Sequence, residues 1–306
     1  MKTIQLGVSN LKVPVIAVGC MRINRLSKQE AESFVQTAID IGANFFDHAD
    51  IYGDGVCEEV FSDAIHMNAS VREKIILQSK CGIRKGVAFD FSKEHILKSV
   101  DGSLKRLKTD YLDVLLLHRP DALVEPQEVA EAFDKLQTSG KVRHFGVSNQ
   151  NPMQMQLLKK SVKQPIVANQ LQLSITNATM ISQGLHVNML DDTAVNRDGS
   201  VLDYCRLNDI TIQPWSPFQF GFFQGVFLDN DAFPKLNAKI NEIAARHNVT
   251  NTTIAIAWLL RHPANMQPVT GTMNEERLKD CVRAADIRLS REEWYEIYLA
   301  AGNNLP

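Results

Sequence analysis

The sequence predicts an α/β fold: a (β/α)8 TIM barrel with an N-terminal β-hairpin and extra loops or helices at the barrel mouth. Three observations carry the prediction. Eight short apolar strand candidates recur along the chain with helical segments between them. From the second to the sixth, strand starts lie about thirty residues apart, the length of a strand, its crossover helix and two loops. No Gly/Ser linker, charge block or break in composition divides the 306 residues, which favours one closed barrel domain over 1–306 against an open doubly wound sheet.

Taken along the chain, residues 3–6 and 12–15 read as the hairpin. The barrel strands fall near 16–19, 44–48, 75–79, 114–118, 144–147, 166–170, 211–215 and 267–269. Ser27 with Glu30, Thr272 with Glu275 and Ser290 with Glu293 mark helix starts, each a capping side chain three residues ahead of a reciprocal acid. In 92–107, Ile96, Val100, Leu104 and Leu107 recur at helical spacing, so one face can cover a sheet while Lys98, Lys105 and Arg106 reach water. Val129, Phe133 and Leu136 repeat the pattern in 126–136. The intervals 171–210 and 217–263 are long for this rhythm and predict additional helices or loops over one mouth.

Composition removes several function classes. Hydrophobic residues make up 44% and charged residues 22% of the chain, which excludes a disordered or low-complexity protein. Lys and Arg number 33 against 35 Asp and Glu, a net charge of -2, so no global cationic field draws in nucleic acid or an acidic membrane. No apolar run of about 18 residues is present, and the N-terminus lacks the apolar core and cleavage site of a leader, so a cytoplasmic protein is expected. Cys20, Cys57, Cys81, Cys205 and Cys281 form no CxxC pair and read as structural thiols. No HExxH, paired cysteine or repeated carboxylate motif organises a metal, and none is expected.

In such a barrel, strand C-termini converge on one cavity. The second strand ends in FFDHADIYG, placing Asp47 in its apolar end and Tyr52 at the start of the following loop; the third ends in IILQSKCG with Lys80, the fourth in LLLHRP with His118. A buried carboxylate needs a partner, which an ammonium beside Asp47 would supply. The same ammonium near Tyr52 predicts a lowered phenol pKa and a proton donor near neutrality. His118 would orient a carbonyl oxygen or help pass the proton; taken singly, it also suits a structural role, as Asp47 and Lys80 suit a fold-supporting ion pair. Ser148 and Asn149 at the fifth strand exit, and Asn169 and Gln170 at the sixth, suit either the amide of a planar ring or capping of the next helices. Trp215 offers a flat face, and Phe218, Phe220, Phe222 and Phe223 would wall a pocket or simply cover the mouth. Gly271 and Thr272, followed by a helix from about Asn274 with Arg277 in its first turns, suit a phosphate.

The motifs DHADIYG, SKCG, LLLHRPD, GKVRHFGVSN, ANQ, PWSP and GTMNEERL, in this order, resemble the aldo-keto reductase superfamily across nearly the whole chain, and among its branches a bacterial group of uncharacterised oxidoreductases. The resemblance implies NADPH-dependent, reversible reduction of an aldehyde or ketone, without a metal, with Asp47, Tyr52, Lys80 and His118 as catalytic tetrad and Tyr52 as general acid. It implies nicotinamide contacts from Ser148, Asn149, Gln170, Trp215 and Ser216, and contacts at the adenosine end from Gly271, Thr272, Arg277 and Asp280. Many relatives carry lysine at the position of Gly271 or arginine at that of Met273; their absence here makes NADH possible beside NADPH. Met21, Arg22, His48, Arg119 and Phe218 stand at strand exits as substrate-pocket candidates, and Arg22 or Arg119 would select an anionic carbonyl or pair with a loop acid. Two other readings use the same residues: a barrel lyase with Lys80 as Schiff base, and a nicotinamide-sensing binding protein.

Overall fold

A computed structural model describes residues 1–306. Eight parallel strands close the barrel in chain order: Ala17–Gly19, Phe45–Asp47, Ile76–Cys81, Leu112–Leu117, Val142–Ser148, Ile166–Gln172, Thr211–Trp215 and Val269–Thr270, the last pairing back on the first. The third strand runs two residues beyond its predicted end, so Lys80 lies within the strand rather than after it. No helix is long and apolar enough to cross a membrane.

Side-chain alternation along the strands divides the interior into two environments. Outward-facing Val18, Phe46, Leu77, Leu115, Leu117, Phe145, Val147 and Ile212 join the large core beneath the helices. Inward-facing Ala17, Phe45, Val114, Leu116 and Val269 form a smaller core with Leu6 and Val13. Those last two come from the antiparallel hairpin Thr3–Gln5 and Lys12–Pro14, which stoppers the N-terminal end of the barrel. Gly7 makes this closure possible: its φ is +54°, and a Cβ there would lie 2.3 Å from the Val167 carbonyl oxygen.

Above this apolar plug the barrel interior turns polar. Gln78, Gln170, Gln213 and Gln267 are all buried and hydrogen-bond to one another across the lumen. Gln213 Nε2 donates to Gln78 Oε1 at 3.1 Å and to Gln267 Oε1 at 2.9 Å, while its own Oε1 accepts from Gln78 and Gln170. Gln267 Nε2 closes the chain on the Pro14 carbonyl at 2.6 Å. Gln78, Gln170 and Gln213 each pair both amide hydrogens, which makes such a layer tolerable in a core.

The helices begin as their caps predict, with one exception. Ser27 with Glu30 and Ser290 with Glu293 form reciprocal capping boxes, and Ser92 caps the helix Lys93–Leu107. Thr272 does not cap. Asn274 does, its Oδ1 accepting from Arg277 N at 2.9 Å, because the helix Glu275–Arg283 starts too late for a Thr272 box. Glu275 instead accepts from Ser33 and Thr37 of the first helix. The interval 171–210 contributes the helices Thr179–Leu185 and Val201–Leu207. The interval 217–263 contributes a small hairpin, Gln219–Phe220 with Gly225–Val226, then helices Pro234–His247 and Asn251–Arg261.

Alternation also corrects one expectation. His48 is not a pocket residue: it continues the outward-facing set of Phe46, is fully buried, and packs edge-on against Phe61 with ring centres 4.6 Å apart. Neither ring nitrogen has a partner, and burial, assisted by the charge of Lys80, lowers its pKa from 6.5 to about 3. An imidazole held neutral in the folded state but free to protonate when unfolded stabilises the fold fully above pH 6.5 and loses that contribution as pH falls toward 3. His48→Phe is therefore expected to flatten the pH dependence of unfolding free energy between these limits by about 1.4 kcal/mol per pH unit, measured by urea titration across pH; an unchanged slope would contradict the assignment.

Candidate active site

The plug, the glutamine layer and the strand ends lead upward to a cavity of about 1150 Å³ at the C-terminal mouth of the barrel. At its floor the ends of three strands, and the loop after the first of them, bring together the four residues singled out from sequence. Lys80 is fully buried and its ammonium donates to Asp47 Oδ2 at 2.8 Å, to the His48 carbonyl at 2.8 Å and to the Tyr52 hydroxyl at 3.0 Å. All three N–H donors of the ammonium are thereby used. Asp47 Oδ1 accepts from Gln78 Nε2 at 2.6 Å and from Gln170 Nε2 at 3.2 Å, so the glutamine layer fixes the carboxylate from below. Sequence reasoning missed Gln78, Gln213 and Gln267.

Tyr52 is delivered by a tight loop rather than by a strand. The segment Tyr52–Gly55 turns through left-handed backbone at Gly53, Asp54 and Gly55 before the helix Val56–Ala64 begins. That helix is tied down by buried Glu58, which accepts from Ser79 Oγ at 2.7 Å and from Arg106 Nε at 2.7 Å. The loop carrying Tyr52 is thus anchored through Ser79 to the strand that carries Lys80.

Electrostatics here differ from the sequence expectation in one respect. Burial pushes the Tyr52 phenol up, and the neighbouring Lys80 charge only partly pulls it back, so its pKa stands above the ordinary 10.0 instead of below it. Burial pulls the Lys80 ammonium down, but Asp47 and then Tyr52 outweigh it and the net shift is upward. Lys80 stays charged and Tyr52 stays protonated at neutral pH. His118 packs edge-on to Tyr52, ring centres 5.9 Å apart. Burial, together with the charges of Lys80 and Arg119, holds its pKa well below 6.5. Its Nδ1 is buried without a partner, and the residue lines the cavity.

Around the tetrad the cavity is lined by Ser148, Asn149, Gln170, Trp215 and Ser216 on one side and by Gly271, Thr272 and Arg277 on another. Asn149 Oδ1 accepts from the Trp215 indole at 3.1 Å, and Asn149 Nδ2 donates to Ser148 Oγ at 2.7 Å. The indole plane is therefore locked against the carboxamide residues. Asn169 instead turns away, donating to the Gln150 carbonyl. Arg22, Arg119, Met21 and Phe218 also line the cavity. Arg22 Nη1 donates to the Gly271 carbonyl at 3.2 Å, and a Cβ on Gly271 would lie 2.7 Å from that nitrogen. Asp280 is not among the lining residues; it lies farther along its helix, where its carbonyl accepts from Thr253. Of the predicted aromatic wall, Phe223 stacks on Trp215 at 6.1 Å, whereas Phe220 packs away against Phe233.

Comparison with known proteins identifies the family. The sequence profile of the Aldo/keto reductase family matches residues 15–300. The uncharacterized oxidoreductase YcsN of Bacillus subtilis strain 168 is 36% identical, the match covering 100% of both chains. A 6-dehydroglucose reductase of Agrobacterium fabrum strain C58 is 33% identical over 95% of each chain. Among solved structures, an aldo-keto reductase from Klebsiella pneumoniae in complex with NADPH superposes with a TM-score of 0.78 at 26% identity, covering 100% of this chain and 96% of that one. With the barrel, the strand-end tetrad and a family match over nearly its full length, the chain belongs to the aldo/keto reductase family of oxidoreductases.

Proposed function

We propose that the chain catalyses the reversible, NADPH-dependent reduction of an aldehyde or ketone to an alcohol, with Tyr52 as the general acid. The observation that carries this reading is the three-way contact of Lys80 with Asp47, His48 and Tyr52 at the cavity floor. Lys80 is a poor Schiff-base lysine: it is charged and fully buried, with all three ammonium hydrogens committed beneath the cavity floor.

The residues present fit a nicotinamide dinucleotide. Gln170 spends both amide hydrogens on Asp47 and Gln213, which leaves its Oε1 as an acceptor for a ring carboxamide; Asn149 and Ser148 stand beside it and Trp215 supplies the flat face. Toward the other end, Thr272 and Asn274 line the cavity beside Arg277 at the start of a helix, and Arg22 adds a second guanidinium near Gly271. These are groups suited to phosphate oxygens. When bound, NADPH supplies the hydride that reaches the carbonyl carbon.

The protein's own part is positioning and proton transfer. Tyr52 donates its hydroxyl proton to the carbonyl oxygen, where negative charge grows in the transition state. As the proton leaves, charge develops on the phenol oxygen, which already accepts from Lys80 Nζ. Asp47 keeps that ammonium charged, and Gln78 and Gln170 keep Asp47 in place. His118, neutral at neutral pH, donates to the carbonyl oxygen from Nε2 and aligns it with the phenol.

Tyr52→Phe is expected to keep NADPH binding while lowering carbonyl turnover by about 100-fold or more, measured by cofactor titration and aldehyde reduction; unchanged turnover removes Tyr52 from the role. Because reduction needs the protonated phenol, wild-type kcat/KM for reduction should hold level through neutrality and fall only as pH rises above 10.0, the direction set by the raised phenol pKa; a fall near neutrality in a pH-rate profile contradicts it. Arg277→Ala is expected to raise the KM for NADPH about tenfold and to erode preference over NADH. An intact preference would exclude Arg277 from phosphate recognition.

A further inference from the structure

The cavity holds more positive charge than the protein neutralises. Arg22, Arg25, Arg119 and Arg277 line it, against Asp47 and Asp229. Asp47 is already taken by Lys80 and two glutamines, and Asp229 is exposed and accepts from Asn251. On the function proposed above, Arg277 and Arg22 belong to the phosphate-bearing side near Gly271. Arg119 has no such assignment. It follows His118 directly, is half-buried, and lies by two aromatic rings: its guanidinium carbon is 5.5 Å from the Trp215 ring centre and 5.9 Å from that of Phe222.

No carboxylate pairs with Arg119, and Tyr52, the titratable group beside it, is a neutral phenol at neutral pH. Stacking on aromatic faces accommodates a guanidinium but satisfies none of its five N–H donors. A neutral substrate closing this pocket would leave those donors further desolvated without an acceptor, at a cost. An oxyanion would supply what is missing.

We infer that Arg119 forms an anion subsite beside the tetrad, and that the substrate is a carbonyl compound bearing a carboxylate or phosphate group. The inference rests on the carbonyl-reduction reading only for the word carbonyl; the subsite itself is tested separately. Two matched pairs distinguish the anion: benzaldehyde with para-carboxybenzaldehyde, and glyceraldehyde with glyceraldehyde phosphate. Reduction with NADPH is measured for wild type, Arg119→Met and Arg119→Lys. Calorimetry of the corresponding product alcohols, without cofactor, gives binding independent of turnover. In wild type the charged member of one pair should be preferred in both measurements. That preference should fall about 10- to 100-fold in Arg119→Met and recover in part in Arg119→Lys. Charge-blind binding and turnover in wild type, or a preference undiminished in Arg119→Met, overturns the subsite while leaving carbonyl reduction intact. Arg119-dependent anion binding with no reduction of any aldehyde would support the subsite and overturn the reductase reading. Absence of both overturns both.

Discussion

Burying an ammonium is among the more expensive things a barrel interior can do, and the Lys80 Nζ is the interaction on which the rest of this site depends. A lone cation in that position would lose its proton or drive the strand apart. Here each N–H of the ammonium has an oxygen within 3.0 Å, and one of those oxygens is a carboxylate. Removing any single partner would leave another polar group stranded, so Asp47, Lys80 and Tyr52 hold one another in place. The glutamine layer extends the same logic downward: Asp47 would have an unsatisfied Oδ1 without Gln78 and Gln170, and those amides in turn need Gln213. The polar column stops only where the apolar plug of Leu6, Val13 and Phe45 begins.

The fold and the meeting of Asp47, Tyr52, Lys80 and His118 were legible because they rest on local signals. Each barrel strand is an apolar run bounded by turn residues, and strand ends in a parallel barrel share one mouth. What escaped the sequence reading depends on which way a side chain points. Asp47 and His48 are neighbours of similar polarity, yet the pleat sends one into the lumen and the other against Phe61. Parity would have found both His48 and the missed glutamines: Gln78 shares the inward face with Lys80, two residues on, and Gln213 shares it with Trp215. The cap at Asn274 and the distance of Asp280 from the cavity turn on where one helix begins, which competing Thr and Asn caps leave ambiguous. The direction of the Tyr52 shift was beyond reach, since it is a contest between burial and a nearby charge that only packing decides.

The same packing sets the electrical character of the cavity. His118 is kept neutral by burial and by two cations, Tyr52 is kept protonated, and the anionic charge of Asp47 is spent on Lys80. A chain that is slightly acidic as a whole therefore presents guanidinium groups to whatever enters. Net charge gave no hint of this, because the cations stand at separate strand ends and meet only when the barrel closes.

The central claim is that Asp47 and Lys80 act on Tyr52 as a unit rather than as two independent contributors. Single-turnover reduction rates for Asp47→Asn, Lys80→Met and the double variant test it most directly, with NADPH prebound and folding verified by circular dichroism. If the claim holds, the double variant is no slower than the slower single variant within about threefold, as expected for residues that function together. Losses that multiply would show two separable effects and contradict it.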